Sequence, residues 1–114
     1  MTQGGGRKDV QTWRFVATSS VEDAETILCL EGRLGHEGAG LLKRTGERVI
    51  DRGVNRLALD LAGVDYMSSA GLKAIEELAA ALEQRSGRLR LLNPTDSVKL
   101  VLDLSGLLER LHLQ

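Results

Sequence analysis

The sequence predicts an α/β domain: a mainly parallel sheet of four to five strands, edged by an antiparallel N-terminal hairpin, with helices packed on it. Three observations predict it. Two short β-favouring runs lie close together near the N-terminus. From residue 36 onward, apolar runs of strand type alternate with segments of helical period, and strands joined through helices form right-handed parallel units. Finally, 114 residues with 42% hydrophobic composition suffice for one core but not for two.

The elements follow in order. Gly4, Gly5 and Gly6 with their polar neighbours bury too little to offset ordering entropy, so residues 1–10 read as a flexible tail and 11–114 as the domain. Thr12 to Thr18 alternates loosely and carries Trp13, Phe15 and Val16, which predicts the first strand. Ser19 to Asp23 reads as a connection, and Thr26 to Leu30, with Gly32 just beyond, as the hairpin's second strand. Cys29 alternates with Ile27 there and reads as a small core residue. Ala39, Leu41, Leu42, Val49 and Ile50 follow helical spacing, with Gly53 placed to end the helix. Leu57 to Leu61 is apolar enough for a central strand.

A loop from Ala62 to Met67 leads to a second helix, whose stripe is Leu72, Ile75, Leu78, Ala79 and Leu82 and whose end is Ser86-Gly87. Arg88 to Leu92 is a fourth strand. Asn93 as N-cap and Pro94 as first residue open a third helix over Thr95 to Leu104, stopped at Ser105-Gly106. Leu111 to Leu113 adds a short last strand. Functional sites in such sheets gather at the C-terminal strand ends, which directs attention to Gly32–His36 and Gly63–Gly71.

Several function classes are excluded or disfavoured. Fifteen Lys+Arg against 16 Asp+Glu give a net charge of −1, and aromatics are 3%; nucleic-acid binders need a basic face and often stacking rings. One cysteine cannot form an intramolecular disulfide, and one Cys with two His makes no zinc pattern. No apolar run nears the roughly 18 residues of a membrane span, and the N-terminus lacks a signal-type apolar stretch. The expectation is a cytoplasmic protein. Met67-Ser68-Ser69-Ala70-Gly71 is half of a hydrolase nucleophile elbow with the first glycine missing. Asp60 and Asp65 lack the acidic pair on the first strand that a Mg²⁺ pocket requires, so Asp60 reads as bonding loop amides. Arg44, Arg48, Arg52 and Arg56 are interleaved with Glu47 and Asp51 and read as a solvated face.

The strand-to-helix passage from Leu57 to Leu72 carries the chemistry. Two serines, Ser68 and Ser69, sit where a helix begins, and free N–H groups with the positive end of a helix dipole favour a phosphate there. A serine in that place serves as N-cap, as phosphoacceptor, or as both.

The run Asp60-Leu61-Ala62-Gly63-Val64-Asp65-Tyr66-Met67-Ser68-Ser69-Ala70-Gly71-Leu72 resembles the signature of STAS domains, specifically of bacterial anti-sigma factor antagonists. Leu30-Glu31-Gly32-Arg33-Leu34 resembles the family's second strand and the loop after it. Leu91-Leu92-Asn93-Pro94, with Val98 through Leu107, resembles its fourth strand, third helix and closing turn. The likeness spans roughly residues 12 to 113.

It implies a non-enzymatic partner switch without cofactor or metal, free of nucleic acid and of membrane insertion, and compatible with a weak homodimer. A serine kinase that is also an anti-sigma factor is the implied partner. It binds the unphosphorylated chain and phosphorylates a serine that aligns with Ser69. Partner contacts carry over to Arg33, Gly35, His36, Met67, Ser68, Ser69 and Lys73. Three departures stand out. Ser68 replaces a common acidic residue and becomes the second-choice acceptor. Gly35 replaces a usual Asp. The further C-terminal helix of many members is missing, which is expected to leave an apolar face for a partner. The alternative reading is a STAS subunit docking on a transporter ATPase or another regulatory complex, with Ser69 only an N-cap.

Overall fold

Strand follows strand across the sheet in the order in which the chain makes them. A computed structural model describes residues 16–22, 24–107 and 112–113. It gives β1 (Val16–Glu22), β2 (Glu25–Leu34), α1 (His36–Asp51), β3 (Arg56–Met67), α2 (Ser69–Gln84), β4 (Arg88–Leu92), α3 (Asp96–Ser105) and β5 (His112–Leu113). The sheet order is β1-β2-β3-β4-β5. β1 and β2 are antiparallel, and every later pair is parallel. The fold class agrees with the expectation, β5 being a two-residue addition to a four-stranded sheet.

All three crossovers step in one direction. Right-handed connections therefore set the three helices on the same face of the sheet. The register puts Leu28, Leu59 and Leu91 in one row and Thr26, Leu57 and Leu89 in the next. Those five leucines are buried against Leu42 and Ile50 of α1, Ile75, Leu78 and Leu82 of α2, and Val98 and Leu102 of α3. Each fully buried Leu or Ile contributes about 1.5–3 kcal/mol, so this face dominates the stability.

The other face is chemically different. Ile27 and Cys29 alternate onto it and are half-buried, so Cys29 lies opposite the helices rather than in the core as expected. Ala58 and Arg90 are register partners there. Glu25, at the start of β2, reaches across β3: Arg90 Nη2 donates to its Oε1 at 2.6 Å and Arg90 Nε to its Oε2 at 2.8 Å. The fork clamps β2 to β4. Glu25 is only 5% exposed. The hydrogen bonds from Arg90 hold its carboxyl below the usual range, against the opposing effect of desolvation.

Four local expectations are corrected. The connection over Ser19 to Asp23 shrinks, because Ser19–Glu22 belong to β1 and the hairpin turns at Ala24 with φ 65°; polar side chains suit an edge strand exposed on both faces. The first strand's residues 12–15 lie outside the described residues, as does Leu111. β2 continues through the expected Gly32–His36 loop to Leu34, with register shifts between Cys29 and Glu31 and between Gly32 and Arg33; β3 carries one extra residue at each, and Gly32 at φ 108° lies beside the second. β3 runs on through Ala62 to Met67, where a loop was expected. The cap of α3 is Thr95, not Asn93: Asn93 takes a left-handed φ of 53°, and Pro94 precedes the cap. Gly53 at φ 100° and Gly106 at φ 79° end their helices as expected.

A carboxyl held low stabilises the fold above its ordinary range, and the contribution disappears as pH falls through the lowered value. Arg90→Ala leaves the Glu25 carboxylate buried and unpaired, at an expected cost of ~3 kcal/mol near neutral pH. Glu25→Gln removes this source of acid sensitivity. Urea unfolding of both variants and the parent from about pH 7 to about pH 3 checks the size and the direction.

Candidate functional site

Leu34 ends β2, Met67 ends β3, and the two are register partners. The helices that follow therefore begin side by side at the C-terminal ends of neighbouring parallel strands. The Leu34 carbonyl joins them. It accepts from the Ser68 backbone N–H at 3.0 Å and from the Ser68 hydroxyl at 3.2 Å. The same hydroxyl accepts from the Gly71 N–H at 3.3 Å. Gly71 is required by this approach: a Cβ on it would lie 2.8 Å from the Leu34 carbonyl oxygen and 2.8 Å from Leu34 Cγ.

Ser68, extended at φ −95° and ψ 175°, is thus the N-cap of α2. Ser69 is the first helical residue. It is exposed, and its hydroxyl has no hydrogen-bond partner among the described residues. This corrects the reading of Ser69 as the cap. It also separates the two serines as acceptors, because the half-buried Ser68 hydroxyl both donates and accepts within the junction. No acidic residue occupies the first turn of α2. The positive end of its dipole is left uncompensated, a setting that favours a phosphate.

The remaining expected partner residues divide. Gly35 is the N-cap of α1 and its carbonyl accepts from the Ala39 N–H at 2.8 Å. His36, the first residue of α1, and Lys73, one turn after Ser69, are exposed. The Arg33 guanidinium sits 4.2 Å from the Tyr66 ring centroid. Met67 departs from the expectation: at 5% exposure it belongs to the core and supports the site from beneath.

Tyr66 is absent from the expected set although its ring is 40% exposed beside these groups. Strict alternation along β3 would put Tyr66 on the face of Val64, so the sequence carried no signal for it. The register shift opposite Gly32 and Arg33 gives β3 one extra residue there, which leaves Val64 and Met67 buried and Tyr66 exposed. Asp60 behaves as expected, its Oδ1 accepting from the Ala62 N–H at 3.1 Å and from Asn93 Nδ2 at 3.3 Å. Among the described residues, no group of three or more His, Cys, Asp or Glu is placed to hold a metal ion. No described helix is long and apolar enough to cross a membrane.

The sheet order, the serine-led second helix and the two adjoining helix N-termini define a class of small single-sheet α/β modules. The chain belongs to the STAS domain family, whose sequence profile residues 16–114 match. It is 36% identical over 86 residues to BtrV of Bordetella bronchiseptica, a protein whose name describes an anti-sigma factor antagonist; the match covers 75% of this chain and 74% of BtrV. Solved structures of other proteins share the fold. TM1081 of Thermotoga maritima, described in the same terms, superimposes with a TM-score of 0.80 at 24% identity, covering 85% of this chain and 84% of that one. The anti-sigma factor antagonist SpoIIAA of Bacillus in its unphosphorylated form gives 0.76 at 22% identity, covering 87% and 88%. Its phosphorylated form gives 0.68 at 22%, covering 89% and 91%.

The junction generates a stability ordering. Gly71→Ala forces a Cβ against the Leu34 carbonyl and is expected to cost about 1–3 kcal/mol. Ser68→Ala loses the cap, about 1 kcal/mol. Ser69→Ala loses no bond and is expected to lie within about 0.5 kcal/mol of the parent. Denaturant titration of the three variants ranks them.

Proposed function

We propose that this chain is an anti-sigma factor antagonist that works as a phosphorylation-controlled partner switch in the cytoplasm and catalyses nothing itself. Unphosphorylated, it binds a serine kinase that doubles as an anti-sigma factor, and phosphate on Ser69 releases it. One observation carries the reading. The hydroxyl at the first position of α2 is exposed and unbonded among the described residues, while its neighbour Ser68 does the capping. Modification of Ser69 therefore leaves the junction's hydrogen bonds untouched. The names of the relatives support the reading, as does the description of SpoIIAA in both phosphorylation states.

The chemistry asks little of this chain. The kinase supplies ATP, Mg²⁺ and the base, and the substrate supplies a reachable hydroxyl. The product carries about −1.5 to −2 charge. At the start of α2 that charge suits the helix dipole, and Lys73, four residues on, lies on the same helix face. The fold consequently tolerates it. A partner surface closed over Ser69 does not: an uncompensated charge in a buried contact costs ~3–5 kcal/mol, or roughly 10²- to 10³-fold in affinity. Release needs no refolding.

Incubation with the kinase and ATP is expected to add one phosphate, at Ser69, and Ser69→Ala to abolish it while keeping affinity for the kinase. Ser69→Asp is expected to weaken binding by about 100-fold with no loss of thermal stability. Phosphopeptide mapping, titration calorimetry and thermal melts check these outcomes. A label on Ser68 or Ser97, or an Asp variant that binds like the parent, overturns the reading.

A further inference from the structure

We infer that Tyr66, steadied by Arg33, is the aromatic anchor of the docking surface around Ser69, and that it fits an apolar pocket on the kinase that modifies Ser69. The inference rests on the partner-switch reading and adds the residue that supplies its affinity.

Four observations converge on Tyr66. It is the only tyrosine in the chain and, at 40% exposure, the most exposed large apolar side chain on the sheet's C-terminal end among the described residues. Its ring does not lie loose on the surface. Arg33, its register partner on β2, covers it at 4.2 Å, and the position of a Cβ on Gly35 would be 3.8 Å from its Cε2. The ring thus extends over the cap of α1, one residue from the Leu34 carbonyl that holds Ser68. Its hydroxyl has no hydrogen-bond partner among the described residues.

An exposed aromatic held in one position loses little entropy when a partner covers it. Tyr and Arg are also the residue types that concentrate binding energy near the centre of an interface. Arg33 is a positioning residue here, since it acts through the ring it covers. The absence of a side chain at Gly35 gives a partner access to the ring edge on the α1 side.

The probe is the purified kinase that labels Ser69 with ATP, titrated against the full chain. Tyr66→Ala is expected to weaken binding about 10- to 100-fold and to raise KM for phosphorylation with kcat unchanged, while its melting temperature stays near that of the parent. Tyr66→Phe keeps the ring and is expected to bind within about threefold of the parent. Arg33→Gln is expected to give an intermediate loss, and Arg33→Lys, which restores a cation over the ring, to recover part of it. Tyr66→Ala binding within about twofold of the parent overturns the anchor, and so does a loss shared equally by Tyr66→Phe. If no kinase labels Ser69 at all, the partner-switch reading falls and the anchor with it; labelling that is indifferent to Tyr66 removes the anchor alone.

Discussion

The carbonyl of Leu34 is the point on which the site's architecture depends. It terminates β2, yet its oxygen takes two donors from Ser68, the residue just after the neighbouring end of β3, and lies against the bare α-carbon of Gly71. These contacts fix where α2 begins relative to α1. A helix start is ordinarily a ragged place, with several N–H groups in search of acceptors. Here the cap serine is itself anchored to the neighbouring strand, so the first turn is held at both ends of a short hydrogen-bond chain. Ser68 is engaged in the junction, and Ser69 beside it is exposed.

Two separate electrostatic devices lie on opposite parts of the molecule. The Glu25–Arg90 fork braces the helix-free face of the sheet, where its charges are shielded and saturated. The start of α2, in contrast, offers positive potential with no acidic residue in its first turn. One device neutralises charge to hold strands together, and the other leaves charge unanswered at the surface. The separation lets the surface charge change without disturbing the brace.

Much of this was legible in the sequence. Helical periodicity and apolar strand runs identified the alternation, because the leucines of β3 and β4 and the stripe of α2 meet in one layer between sheet and helices and so repeat regularly. The pair of serines was legible as a helix start. Which serine capped it was not, because the two are chemically identical and only the carbonyl of Leu34, 34 residues away, distinguishes them. Strand lengths are hidden in the sequence for a related reason. Gly32 and Gly63 looked like loop residues, but they serve a bulged pairing of β2 with β3 that exists only in three dimensions. Met67 looked available to a partner until the extended register of β3 turned it inward.

The sheet's sequential order has a consequence for how the molecule assembles. No strand has to insert between two that are already paired, so each new βα unit can add to an edge left open by the one before it. The pairings Thr26–Leu57 and Leu57–Leu89 each close a span of similar length along the chain, which spreads the cost of loop closure over repeated moderate steps instead of one large one. The order of assembly thus runs with the direction of synthesis: a chain emerging from the ribosome meets its docking edge before the next strand arrives.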